Sequence, residues 1–145
     1  MKHLTIILLT ILFSNTTSCN TPKSIATNNE KTEPQSSQIT KFLITSINNK
    51  DVTESKLHVI FNEELKTISG FAGCNTFSSK YTVKDDIISL GYPMATKMYC
   101  EKNAAIEQEF FKTLVLIKTK AIEKDSLLLK DSNNKILFSG IKTNE

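Results

Sequence analysis

The sequence contains no arginine. All 18 of its basic residues are lysine, set against 15 acidic residues for a net charge of +3. Arginine supplies the planar fork that grips phosphate and guanine, and the lysines here are interspersed with acids rather than gathered into a stripe. No nucleic-acid partner is expected on either count. Histidine is scarcer still, with only His3 and His58. One imidazole inside a domain cannot build a His-rich metal site, so no metal and no cofactor are expected. A Ser-His-Asp relay would have only His58 as its base. The plainer reading of His58 is a strand residue with a polar tip. Four glycines leave no glycine-rich phosphate loop or dinucleotide fingerprint, and no internal repeat is visible. No catalytic residues are assigned, and the chain is not expected to be an enzyme.

What is present begins with an address. Met1-Lys2-His3 is followed by Leu4 to Phe13 (LTIILLTILF), an almost wholly apolar run. It has the length of a signal-peptide core and falls short of the roughly 20 residues a helix needs to cross a bilayer. Small polar residues lead to Ser18 and Cys19. This arrangement resembles the lipobox of bacterial lipoproteins, although Thr16 stands where an aliphatic residue is usual. The resemblance implies a signal peptide over residues 1–18, cleavage after Ser18, and acyl chains such as palmitate on Cys19. Multiple chains hold firmly where a single one binds only marginally. Residues 19–38 have almost nothing apolar beyond Cys19 and carry two prolines, so they read as a flexible tether with a root-mean-square span of about 25 Å. The expected location is the cell envelope, anchored to a membrane (the outer membrane favoured) and facing an extracytoplasmic compartment.

From residue 39 to residue 145 the pattern is that of one domain. Hydrophobic content of 39% and charged content of 23% suit a soluble globular fold. Strands are expected over 42–47, 57–61, 65–71, 80–83, 87–90, 118–122, 126–130 and 136–139, separated by turn-rich runs such as Asn48–Asp51 and Asp131–Lys135. Between Glu101 and Lys118 the period changes: Ile106, Phe110, Leu114 and Ile117 recur at helical spacing, an amphipathic helix of about 16 residues. The fold class is therefore α+β, mainly β: an antiparallel sheet or partly open barrel of about seven to eight strands, with one amphipathic helix packed against it.

The most distinctive stretch is Gly70-Phe71-Ala72-Gly73-Cys74-Asn75-Thr76-Phe77, where two of the four glycines predict a bulge or a sharp strand exit. Asn75 tolerates the left-handed region and can bond its own backbone. A second motif, Thr96-Lys97-Met98-Tyr99-Cys100, precedes the helix, and Glu107, Gln108, Phe110 or Phe111, and Leu114 form a third. With Tyr81, these three motifs in this order resemble the META domain, the family of the heat-shock protein HslJ, over nearly all of residues 40–140. Ser79 departs from a position where that family often has glycine, and Phe42 from one where it often has tryptophan. The resemblance implies a small antiparallel β-fold with one helix, often exported, loosely associated with stress tolerance and without an established catalytic mechanism. Its motif residues are Gly70, Gly73, Cys74, Asn75, Thr96, Met98, Cys100 and Glu107.

If Cys19 is lipidated, Cys74 and Cys100 remain as an even pair, and outside the cytoplasm such a pair usually forms a disulfide. The alternatives are a thiolate at Cys100, activated near a helix start by Lys97 and Lys102 with His58 as base, or two reduced thiols packed in the core. The carboxylates Glu63, Glu64, Asp85, Asp86, Glu107 and Glu109 read as solvated charge. Asn75, followed by Thr96 and Glu107, is the polar residue expected to matter most structurally, and turn and capping chemistry is the alternative reading of these positions. The expectation is a lipid-anchored envelope protein of non-catalytic type, engaged in stress or drug tolerance and meeting an envelope protein partner. The alternative is an inhibitor module acting on an exported enzyme such as a protease. A cysteine-dependent enzyme ranks last.

Overall fold

The computed structural model describes residues 39–143. The signal segment, Cys19 and the tether lie outside the described residues. Alternation of apolar and polar side chains builds the sheet. In β3 (His58–Asn62) Val59 and Phe61 turn inward, in β4 (Thr67–Phe71) Ile68 and Gly70 do, and in β5 (Thr76–Lys84) Phe77, Ser79 and Tyr81 do. A strand places successive side chains on opposite faces, so each such run buries one face only. Two tight turns follow from residues that accept positive φ. Asn48 and Asn49 (49° and 67°) join β1 (Ile39–Ile47) to β2 (Lys50–Asp51), and Asp85 and Asp86 (51° and 63°) join β5 to β6 (Ile87–Leu90). Two consecutive positive values match the right-handed twist of hairpin strands.

The remaining elements are β7 (Met94–Ala95), α1 (Ala104–Leu114), β8 (Thr119–Glu123), β9 (Ser126–Lys130) and β10 (Ile136–Thr143). All pairings are antiparallel, in the order β6-β5-β4-β3-β1-β10-β9-β8, with β2 added to β1 and β7 added to β5. β1 lies inside the sheet between β3 and β10, its register running from Lys41 opposite Thr143 to Ile47 opposite Phe138. The sheet curves without closing. Its end strands β6 and β8 share no ladder, although Ile88 N–H donates to Lys118 O at 2.6 Å across the gap.

One core fills the concave side. Phe110 of α1 sits at its centre, edge-on to Phe77, Phe111 and Phe138 at centroid distances of 5.2, 5.6 and 5.3 Å. Phe42, Ile44, Leu127, Leu129 and Leu114 complete it, each at most 1% exposed. The fold is thus mainly β with one packed helix, as expected. The main path has eight strands, and two more of two residues each bring the sheet to ten. The helix is shorter than its apolar spacing predicts. A 3-10 turn (Glu101–Asn103) precedes it, and Leu116 N–H and Ile117 N–H bond back to Thr113 O and Leu114 O. These three-residue steps tighten the exit and place Ile117 in the core from a turn.

Candidate functional site

The motif residues meet where β4 gives way to β5. Gly70 lies against β3 so closely that an added Cβ would stand 2.0 Å from His58 O, so no side chain fits there. Gly73, at φ +113°, turns the chain out of the strand in a conformation L-residues rarely adopt. Asn103 of the 3-10 turn donates through Nδ2 to Gly73 O at 2.6 Å. Asn75 keeps a negative φ and works through its side chain.

That side chain is buried and uses both ends. Asn75 Oδ1 accepts from Thr96 Oγ1 and from Met98 N–H, each at 2.7 Å. Asn75 Nδ2 donates to Met98 O at 3.1 Å and to Glu107 Oε1 at 2.8 Å. Glu107 Oε2 accepts the backbone N–H groups of Cys74 and Asn75 at 3.1 and 2.7 Å. One carboxylate in the first turn of α1 therefore caps the strand exit, and one amide ties it to segment 96–98. Of the two readings the sequence offers for Glu107, capping holds and solvated charge does not. The two donors it caps are main-chain groups, which no side-chain pattern displays.

Cys74 and Cys100 are joined by a disulfide, with Cα atoms 5.8 Å apart. Neither the reduced pair nor the Cys100 thiolate describes this structure. Cys74 Sγ lies 3.4 Å from Met98 O, a contact without a proton, since a disulfide sulfur carries none. Among the described residues, Thr143 Oγ1 is the one buried side-chain polar atom left without a partner. The motif is thus a clamp whose polar atoms are spent on one another. No three His, Cys, Asp or Glu side chains among the described residues converge as metal ligands would. Of the family departures, Ser79 is buried and its hydroxyl donates to Gly91 O at 2.9 Å, while Phe42 lies wholly in the core.

A second polar cluster was not legible in the sequence. Glu63, read there as solvated, accepts from Tyr81 OH at 2.8 Å and from Lys66 at 3.4 Å, and pairs with Lys120 of β8. Burial works to raise the Glu63 carboxyl, but the bonds from Lys120, Tyr81 and Lys66 outweigh it and hold it below the usual range. Burial and the neighbouring Glu63 charge push the Tyr81 phenol well above its ordinary value. Lys120 also lies over the Phe61 ring, 4.5 Å from its centroid. Glu63 thus ties the β3 end of the sheet to β8, across an open depression of about 320 Å³ that Lys66, Val83, Asp86 and Ile88 also line. His58 stacks on Phe71 at 6.2 Å, and burial followed by the Lys41 charge lowers its imidazole below the usual value. It is a half-buried strand residue.

A family model described as META domain matches residues 35–142. A search of curated proteins returns no match in sequence. Solved structures share the fold. An NMR structure of a protein from Burkholderia xenovorans is 19% identical, with a TM-score of 0.60, covering 87% of this chain and 99% of that one. A second NMR structure is 23% identical with a TM-score of 0.56, covering 75% of this chain and 94% of that one. A crystal structure of a DUF4847 family protein from Bacteroides vulgatus is 12% identical with a TM-score of 0.50 and the same coverage. The strand exit, the disulfide and the helix carboxylate that caps them lie within the matched residues, and the chain belongs to the META domain family.

Proposed function

We propose that this META-domain protein is exported, anchored to an envelope membrane through acyl chains on Cys19, and acts there as a non-catalytic module in stress or drug tolerance. The observation that carries the reading is the closed state of the motif. Both thiols are spent on one bond, and Asn75 and Glu107 are saturated by main-chain and side-chain partners. A set so committed has no free nucleophile or base to offer a substrate. The disulfide also favours an oxidising compartment, which agrees with the signal-like opening of the sequence. The first test is the intact mass of the membrane-extracted protein, alkylated before and after reduction. A mass starting at Cys19 plus acyl chains, with alkyl groups added only after reduction, supports the reading. An unlipidated mass with two alkylated thiols refutes it. A deletion strain indistinguishable from its parent under heat, detergent and envelope-active drugs removes the stress role.

A second reading gives the domain an exported enzyme, such as a protease, as its partner. It draws on segment 92–99, whose backbone is fixed by β7, by Asn75 and by the disulfide while its large side chains stay exposed. Envelope pull-down with tethered bait that recovers no enzyme would end it.

A further inference from the structure

Between β6 and the disulfide lies a segment that the clamp explains only in part. Within eight residues it carries Tyr92, Met94, Met98 and Tyr99, which are 95%, 76%, 63% and 85% exposed. Its backbone is held at several points. Met94 and Ala95 pair with Ser78 and Phe77 of β5, Asn75 holds Met98, and Cys100 is bonded to Cys74. Apolar side chains on a fixed backbone can be buried with little further loss of chain freedom. The patch is preformed, and its occupant can be argued from three features.

The first is the strand edge. Thr96 N–H donates to Thr76 O at 3.1 Å, so the main-chain groups of Thr96 face β5. Backbone groups alternate along an extended chain, which turns those of Pro93, Ala95 and Lys97 outward. Proline has no donor to offer, and an edge lysine opposes strand addition. The edge is therefore blunted against an added strand, whether from a peptide or from a second copy. The second is side-chain chemistry. Tyrosine carries an apolar ring with a polar tip, suited to the boundary between hydrocarbon and water. The exposed Lys97 supplies a positive charge within the segment, and the exposed Glu101 and Lys102 that follow Cys100 offset one another; the Lys97 charge is complementary to anionic headgroups.

The third is the entry of the chain. Ile39 pairs with Asn62, Asn62 with Thr67, and Thr67 with Lys80, whose carbonyl accepts Gly91 N–H. The residue that follows the tether thus shares a rung of the sheet with Gly91, one position before Tyr92. Four strand spacings separate them, about 19 Å along the sheet, less than the span of about 25 Å expected from the composition of residues 19–38. We propose that Tyr92–Tyr99 seats the domain on the lipid surface of the membrane that anchors the chain. In this pose the tyrosine rings lie at headgroup level, the methionines enter the acyl boundary, and Lys97 faces anionic phosphates. The proposal rests on the lipid-anchor reading.

The test uses an accident of composition: the chain has no tryptophan and three tyrosines. Tyr81 is buried, so Tyr92 and Tyr99 are the two whose fluorescence a solvent quencher reaches. Lipid-modified protein purified from membranes is reconstituted into vesicles of mixed zwitterionic and anionic phospholipid, floated on a gradient, and titrated with acrylamide. The expected result is flotation with most of the tyrosine quenching lost, down to the level of a Tyr92→Phe/Tyr99→Phe double variant. Brominated acyl chains should then quench the wild type and not the double variant. Flotation with both tyrosines still fully open to acrylamide overturns the proposal, leaves the anchor intact and returns the patch to a protein partner. Failure to float overturns the anchor and the proposal together.

Discussion

The carboxylate of Glu107 accepts both the backbone N–H and the side-chain amide of Asn75, at 2.7 and 2.8 Å. The two residues are 32 positions apart, one on the helix and one at the strand exit. Their pairing joins the first turn of α1 to the strand exit, and through Asn75 it also holds segment 96–98.

Glu107→Gln removes the charge that strengthens three accepted bonds, and Glu107→Ala leaves three donors without an acceptor. Losses of about 2 and about 4 kcal/mol are expected, since a bond to a charged group contributes about 1.5–3 kcal/mol. Asn75→Asp should be at least as damaging, because it sets a second carboxylate against the first. Urea unfolding of the three variants gives the ranking. Changes within about 0.5 kcal/mol, ordinary for a surface position, would mean that the clamp stabilises nothing.

Reduction of the Cys74–Cys100 bond opens a loop with a sequence separation of 26. The chain-entropy relation gives a loss of about 3.5 kcal/mol for a loop of that length. Denaturation of the Cys74→Ala/Cys100→Ala variant beside wild type, each with and without reductant, checks it. The variant should ignore reductant, and wild type should fall toward it.

Stability should fall at both ends of the pH scale, with separate causes. Glu63 is held below the usual carboxyl range, so its contribution is complete above that range and is lost as pH falls through the folded value. The Tyr81 phenol is raised, so the unfolded chain ionises first and stability drops once pH passes about 10. His58 is lowered, so the unfolded chain takes up its proton first, and stability begins to fall below about pH 6.5. Melting curves across pH should lose the alkaline limb in Tyr81→Phe, the lowest acid limb in Glu63→Gln, and the mildly acid slope in His58→Gln.

Gly70→Ala should prevent stable folding. The new methyl would stand 2.0 Å from His58 O, a main-chain atom of a paired strand, and one of the two strands must move. The expected loss is about 3 kcal/mol or more. Soluble yield and thermal melting read it directly, and a variant that melts with wild type would show that the β3–β4 ladder can shift.

Reading the fold from the sequence worked where a single period governs a stretch. The helical spacing of Ile106, Phe110 and Leu114 marks the packed face of α1, and the apolar runs in Leu57–Phe61 and Ser126–Lys130, bounded by turn residues, mark strands. It failed where a partner distant in sequence makes the element. β7 is two residues long and exists through Ser78 and Phe77, and Thr76–Ser79 extend β5 before any alternation is evident beside Gly73. Ile117 keeps helical spacing and is buried all the same, so the pattern could not reveal that the helix ends at Leu114. The motif residues were legible as a set. The Glu63 cluster was not, because Tyr81 and Lys120 stand 18 and 57 positions away and nothing local joins them.

The place of β1 in the sheet governs when the molecule can fold. Its partners are β3, made soon after it, and β10, made last, with Lys41 opposite Thr143. While Ile136–Thr143 is missing, β1 presents an unpaired edge and the core lacks Leu137 and Phe138. Pairing the first strand with the last makes for high contact order and slow closure. The ladder that closes this sheet therefore joins the two ends of the domain, so a chain cut short before Ile136 would lose a neighbour of its first strand as well as its last strand.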